Sequence, residues 1–201
     1  MSMNISILIP VRPLTEGKGR LSPVLTPHER QNLNRYFFTH TLDIISQAVS
    51  PARCFVVSSS PEILKLAKDR GMTPITEPKD GDLNRALEQA AQAARKSGAN
   101  ALLSISCDLP YLLSDDISAL LAAAKKSHMV IAPDKNRTGT NALLLSPAGA
   151  IRYRYGENSY AHHMAAAKRA GLTALPLLRD GLAQDIDTPQ DLSEWPCQNY
   201  L

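Results

Sequence analysis

Short, almost continuously apolar runs recur along this chain, and most are separated by segments with the spacing of amphipathic helices. The runs are Ile5 to Val11, Arg53 to Ser58, Thr73 to Thr76, Ala99 to Ile105, Met129 to Ala132, Asn141 to Leu145 and Thr173 to Leu178. Between them the pattern predicts helices over Pro27 to Ala48, Pro61 to Arg70, Leu83 to Lys96, Ser114 to Lys126 and Ser159 to Ala170. Strands that are apolar on both faces need cover on both faces. This alternation therefore predicts an α/β fold, a mostly parallel sheet with helices on each side. Local signals agree. Thr26-Pro27-His28-Glu29 carries a cap, a first-turn proline and a capping-box Glu, and Ser60-Pro61 and Thr188-Pro189 repeat the cap-plus-proline pair. Gly71 and Gly171 stand where helices end. With 201 residues, 44% of them hydrophobic, and no repeat or linker, one domain over residues 1–201 is expected.

Composition excludes several functions. A net charge of +3 without a long basic run argues against a dedicated nucleic-acid binder, and no segment reaches transmembrane length. Cys54, Cys107 and Cys197 form neither a zinc pattern nor a disulfide framework, which fits a reducing cytoplasm. Cys107 reads as a small buried residue rather than a catalytic thiol. Met1 to Pro10 lacks both a basic opening stretch and a long apolar segment, so it reads as a first strand and not as a signal peptide.

Two acidic segments carry the chemistry. Ser106-Cys107-Asp108-Leu109-Pro110 follows the fourth strand, where ligands bind in open α/β sheets. Gln184-Asp185-Ile186-Asp187-Thr188-Pro189 lies far downstream, with its two aspartates spaced to share one face of an extended segment. Carboxylates without nearby Cys or His suit a hard cation, most simply Mg²⁺, which commonly shares its shell with phosphates. A nucleotide-handling enzyme is the resulting expectation. Helix capping is the competing role for Asp187 and Asp191, and an Asx turn for Asp108.

Three further segments could hold anions. The loop from Pro10 to Leu21 has two glycines with Arg12, Lys18 and Arg20, and matches neither a Walker A nor a dinucleotide fingerprint. Such a loop is often simply solvated, but its place after strand one favours a polyphosphate contact. Arg137-Thr138-Gly139-Thr140-Asn141 reads either as a turn or as a hydroxyl-rich anion site. Tyr155-Gly156-Glu157-Asn158-Ser159-Tyr160 opens a helix, where anion binding and capping by Asn158 or Ser159 compete. His162 and His163 point about 100° apart on a helix and cannot easily share one ion, leaving one for solvent and one for the pocket. Asp115 and Asp116 read as dipole compensation, and Trp195 as an anchor for the tail.

Taken in order, these segments resemble one family. Ile-Pro-Val-Arg-Pro-Leu (9–14), Gly-Lys-Gly-Arg-Leu (17–21), Asp82-Leu83-Asn84-Arg85-Ala86-Leu87, Asp108-Leu109-Pro110, Thr138 to Leu143, Gly156-x-x-Ser159-Tyr160-x-x-His163 and Asp185 to Pro189 are similar to the signatures of the 2-phospho-L-lactate guanylyltransferases. Phosphoenolpyruvate and 3-phosphoglycerate variants belong to the same family, which serves biosynthesis of the deazaflavin coenzyme F-420. The resemblance implies a Rossmann-like fold of the nucleotide-diphosphosugar transferase type. It also implies Mg²⁺-dependent transfer of GMP from GTP to a phosphorylated three-carbon acid. By position it implies Lys18, Arg20 and Asp108 as catalytic, and Asp108, Asp185 and Asp187 as metal ligands. Thr140, Gly156 and Ser159 would hold the acid, while Arg12, Lys18 and Asn84 would contact nucleotide. Four places depart from the pattern: Arg12 stands for lysine, the stretch Ser58 to Ser60 falls where an acidic residue is expected, Asp82 stands for glycine and Cys107 for a small residue, usually alanine. A molybdopterin guanylyltransferase, a sugar-acid cytidylyltransferase and a non-catalytic nucleotide-sensing module are the alternatives. A homodimer is compatible with the sequence, which leaves oligomeric state open.

Overall fold

The computed structural model describes residues 3–77 and 81–196; Cys197 lies outside them. Seven strands form one sheet in the order β3-β2-β1-β4-β6-β5-β7. They are β1 (Ile5–Pro10), β2 (Cys54–Ser58), β3 (Thr73–Thr76), β4 (Ala101–Ile105), β5 (Met129–Pro133), β6 (Thr140–Leu145) and β7 (Ala174–Pro176). The α-helices are α1 (Pro27–Ala48), α2 (Pro61–Asp69), α3 (Leu83–Lys96), α4 (Ser114–Ala123), α5 (Ser159–Arg169), α6 (Asp180–Ala183) and α7 (Pro189–Glu194). The expected alternation is present, with three refinements.

First, β6 runs antiparallel to both its neighbours, β4 and β5, while the other pairs are parallel. Residues 134–139 are too few for a crossover, which needs a dozen or more. Asp134 closes that turn, its carboxylate accepting from the Thr138 N–H, the Thr138 hydroxyl and the Gly139 N–H. Second, several ends are shorter than the apolar runs. A 3₁₀ turn over Pro51–Arg53 delays β2, and the αL glycine Gly98 (φ +92°) closes α3 and delays β4 to Ala101. Strand β7 keeps only three residues of the expected Thr173 to Leu178. Third, α6 was not expected, while α7 begins at the Thr188-Pro189 cap-plus-proline pair, although its extent was not given.

Alternate residues of β1 feed opposite layers. Ile7 and Ile9 pack with Phe38 and Leu42 of α1, Ile63 of α2 and Leu120 of α4. Leu8 faces the other way, into a layer with Leu87 and Ala90 of α3 and Ala167 of α5. Helices thus cover both faces. A third cluster joins Leu21, Leu33 and Phe37 to Ile186 and Trp195. Trp195 is 3% exposed, with its ring centroid 5.3 Å from Phe37 and 5.5 Å from Tyr36. That cluster brings the segment before α7 up against the β1–α1 loop. Strands β1 and β4 are neighbours whose chain continues to opposite sides, so the crevice beyond their carboxyl ends is the sheet's topological switch point.

Candidate active site

The loop leaving β1 is held in place from below. Leu14, Leu21 and Leu25 are buried, and the Asn34 amide of α1 donates to the carbonyls of Leu14 (2.9 Å) and Glu16 (3.0 Å). So anchored, the chain passes through two left-handed residues, Gly17 (φ +86°) and Lys18 (φ +50°), into the 3₁₀ turn Gly19–Leu21. This turn aims Lys18 back beneath the loop. Its side chain is 6% exposed, and its Nζ donates to Asp108 Oδ2 and Asp187 Oδ1, each at 2.8 Å. The ammonium also lies 5.8 Å from the Phe37 ring centroid.

Asp108 follows β4, and Asp185 and Asp187 flank the buried Ile186 in the segment between α6 and α7. The alternation read from the sequence therefore holds: Ile186 turns into the core while both aspartates turn to the crevice. One carboxylate oxygen from each of Asp108, Asp185 and Asp187 lies within 4.8 Å of the others. Asp187 pairs with Lys18, and of the two aspartates it is Asp191 that joins the helix cap, its carboxylate accepting from the Thr188 N–H at 2.8 Å.

The charges are mutually dependent. Burial by itself would lower the Lys18 pKa, but Asp108 and Asp187 outweigh it and hold the ammonium above its ordinary range. Burial would raise Asp108, but Lys18 outweighs that and holds it below the usual carboxylate value. For Asp185 the balance is reversed: burial, then repulsion from Asp108 and Asp187, outweighs the attraction of Lys18 and pushes it up to about 6. Three crowded oxygen donors with one destabilised carboxylate form a cluster suited to a hard divalent cation. Burial, then the charge of Asp108, pushes the neighbouring Cys107 thiol up to about 12, which favours the neutral thiol over the thiolate.

A cavity of about 290 Å³ opens beside this cluster, bordered by Arg12, Lys18, Phe37, Glu77, Leu83 and Asp108. Arg12 is exposed there, and Arg20 is exposed on the 3₁₀ turn. Two of the departures from the family pattern acquire reasons. Asp82 caps α3, accepting from the Asn84 and Arg85 N–H groups. The acidic residue expected after β2 is absent, but Glu77, after the adjacent β3, lines the cavity, and its N–H donates to the Ser58 carbonyl at 2.9 Å. Glu77, Asn34 and Phe37 were missed by sequence reasoning. Glu77 alone had a usable signal, its place just past a strand's carboxyl end.

Asn84 does not border the cavity. Its amide grips the Tyr155 backbone at both ends, accepting from the N–H at 2.7 Å and donating to the carbonyl at 3.1 Å. Thr140 and Ser159 also lie off the cavity, in a buried group of their own: the Ser159 hydroxyl donates to Thr140 Oγ1 at 3.2 Å, and His163 Nδ1 lies 3.1 Å from the same oxygen. Gly156, at φ +122°, accepts from the Ser159 N–H through its carbonyl. Neither Asn158 nor Ser159 caps α5 with its side chain. This group adjoins the acidic one through β6. The Ser106 N–H donates to the Asn141 carbonyl, and the Asn141 amide donates to the Leu182 carbonyl of α6. Of the histidine pair, His162 is exposed and His163 fully buried. Asp116 exceeds its expected helix-dipole role. It is 2% exposed, accepts from the Leu113 N–H at 2.9 Å and pairs with Arg179.

The fold is that of the nucleotide-diphosphosugar transferase type. A structure from Desulfovibrio desulfuricans G20 assigned as a nucleotide-diphospho-sugar transferase superimposes with a TM-score of 0.73 at 18% identity, covering 95% of this chain and 85% of that one. Residues 5–196 match the family model described as guanylyl transferase CofC like, and the chain belongs to that family. It is 38% identical over 192 residues to a phosphoenolpyruvate guanylyltransferase of Sphaerobacter thermophilus, covering 96% of this chain and 92% of the relative. It is 33% identical to a 2-phospho-L-lactate guanylyltransferase of Methanothermobacter thermautotrophicus, covering 96% and 84%. The protein is an enzyme of the nucleotidyltransferase class.

Proposed function

We propose that the protein joins the GMP moiety of GTP to a phosphorylated three-carbon acid, 2-phospho-L-lactate, phosphoenolpyruvate or 3-phospho-D-glycerate, in coenzyme F-420 biosynthesis. The observation that carries this reading is Lys18, bridged between Asp108 and Asp187 at the mouth of the switch-point cavity in a chain of this family. An acceptor phosphate oxygen attacks the α-phosphorus of GTP; the new oxygen–phosphorus bond forms as the bond to the β-phosphate oxygen breaks, and pyrophosphate leaves. A phosphate dianion is already a nucleophile near neutral pH, so no general base is needed. The roles are positioning and charge neutralisation.

Asp108, Asp185 and Asp187 would hold Mg²⁺, a fit supported by their all-oxygen donor set and mutual crowding. Bound there, Mg²⁺ supplies neutralisation of the phosphate charge. Lys18 and Arg20 grip the triphosphate, and Arg12, at the cavity edge, contacts it. Asn84 serves the nucleotide indirectly, by fixing the strap around Tyr155 beside the cavity-lining Leu83. Thr140, Gly156 and Ser159 receive the acid. The reading takes residues 1–201 as one domain acting in the cytoplasm without nucleic acid or membrane. Its modest net charge, +3, supports the exclusion of nucleic acid. Whether it works as a homodimer is answered by sedimentation.

The test is pyrophosphate release with Mg²⁺, crossing GTP, ATP and CTP against the three acids. Release with GTP and one acid is expected, and Asp108→Ala or Asp187→Ala should lower it at least about 100-fold in a folded protein. Release with CTP alone would point to a cytidylyltransferase. Silence throughout, with GTP still bound, would point to a sensing module.

A further inference from the structure

We infer that His163 is a positioning residue which turns the Thr140 hydroxyl into a hydrogen-bond donor for the acceptor acid. The imidazole is fully buried and spans two partners. The Arg154 backbone N–H donates to Nε2 at 2.9 Å, and Nδ1 lies 3.1 Å from Thr140 Oγ1. A backbone N–H can only donate, so Nε2 is the unprotonated nitrogen. The neutral ring then carries its proton on Nδ1 and donates it to Thr140. Burial, with His162 and Arg154 nearby, lowers the imidazole pKa to about 4 and so favours that neutral form.

The consequence falls on Thr140. Its oxygen accepts from His163 Nδ1 and from the Ser159 hydroxyl, which uses both lone pairs. Its own O–H is thereby left to donate, and among the described residues no side chain or carbonyl is bonded to it. The ionised carboxylate and phosphate of such an acid offer acceptor oxygens. A threonine free to rotate could present either a lone pair or a proton to such a ligand; this one presents a proton. The tautomer is itself secured. Asn84 holds the Tyr155 backbone at both ends, fixing the strap that carries the Arg154 N–H, and the Tyr155 ring packs edge-on against His163 at 5.2 Å. Among the residues given a role by the resemblance, none is charged with this orientation.

The inference rests on the reading of Thr140 and Ser159 as the acid site, so the experiment separates the two. The acid and GTP KM values are measured for Thr140→Val, Ser159→Ala, His163→Asn and His163→Gln. An Asn amide overlays Nδ1 and can still donate to Thr140, whereas a Gln amide overlays Nε2 and keeps only the Arg154 contact. The His163→Gln variant should raise the acid KM about 5- to 10-fold, the worth of one directed hydrogen bond, with GTP KM within about twofold. The His163→Asn variant should restore it. Equal effects from Asn and Gln, or acid and GTP KM rising together, would overturn the inference. If Thr140→Val and Ser159→Ala both leave the acid KM unchanged, the acid-site reading itself fails. Nitrogen-15 NMR of the unmodified protein gives a readout independent of activity: a protonated Nδ1 and bare Nε2 are expected, and the opposite tautomer would sink the proposal.

Discussion

Lys18 adopts a left-handed backbone that a lysine rarely takes, φ +50°, and it does so where its ammonium meets two carboxylates. The strain of such a residue, about 1 kcal/mol or more, is offset by those ion pairs, so the loop's shape and the site's charge balance depend on one another. Lys18 and Asp185 should therefore respond to substitution with opposite signs. In metal-free protein at pH 8, Lys18→Met leaves two half-buried carboxylates unpaired and should cost about 2 kcal/mol. Asp185→Asn removes the carboxylate that burial and its neighbours push up to about 6. A raised carboxyl pKa means that stability falls as pH rises through that range, so at pH 8 this variant should gain about 1 kcal/mol after allowing for solvent screening. Urea unfolding measures both. Each variant should nevertheless lose activity, and a destabilised Asp185→Asn would show that the carboxylates do not repel.

His163 adds a pH dependence of the opposite sign. Its folded value, about 4, lies below its ordinary 6.5, so the unfolded chain takes up the proton first. Its contribution is intact above about pH 6.5 and is lost as pH falls, by about 3 kcal/mol at pH 4. Stability measured between pH 7 and pH 4 should fall less steeply in His163→Asn than in the parent; parallel curves would show that the buried ring does not resist protonation.

At the scale of elements, the shortest helix sets the position of the acidic segment. Gly181 in α6 sits against α4: a Cβ added there would lie 2.1 Å from Asp116 Oδ2 and 2.7 Å from the Tyr111 carbonyl oxygen. The carboxylate cannot withdraw freely, because the Leu113 N–H and Arg179 hold it. Gly181→Ala should therefore cost about 2 kcal/mol and lower Tm by about 5 °C. It should also weaken metal binding, because α6 leads directly into Asp185 and Asp187. A calorimetric scan with and without Mg²⁺ reads both effects, and an unchanged Tm would mean that α6 shifts at no cost. The capping pairs were more legible than this contact. Thr26 with Glu29 and Thr188 with Asp191 form capping boxes from residues three apart, so the chain's own spacing specifies them. Nothing local marks Gly181, whose constraint comes from residues 65 and 70 positions away.

At the scale of the whole molecule, the site is assembled from three distant parts: the β1–α1 loop, the end of β4 and the segment before α7. Because such a cluster exists only when the sheet is folded, a cation bound there binds the folded chain alone. Mg²⁺ at ten times its dissociation constant should add about 1.4 kcal/mol and raise Tm by about 4 °C, and Asp108→Asn should abolish the shift. A shift that survives in this variant would place the cation elsewhere.

The strand and helix alternation was readable because burial on both faces of a sheet demands continuous apolar runs, and caps and glycines punctuate them locally. The shared face of Asp185 and Asp187 was likewise readable, since alternation is a property of the backbone. The antiparallel β6 could have been read as well, from a connection too short to cross over. Other features had no local signature. That Lys18 neutralises Asp108 and Asp187 together, that Asn84 serves the Tyr155 strap, and that His163 rather than His162 turns inward depend on which distant surfaces the packed layers bring within 3 Å. Sequence by itself determined the elements and the family, since both rest on spacing along the chain. Tertiary structure alone decided the partners of each polar group, because hydrogen bonds and ion pairs fall off within ångströms and only packing sets those distances.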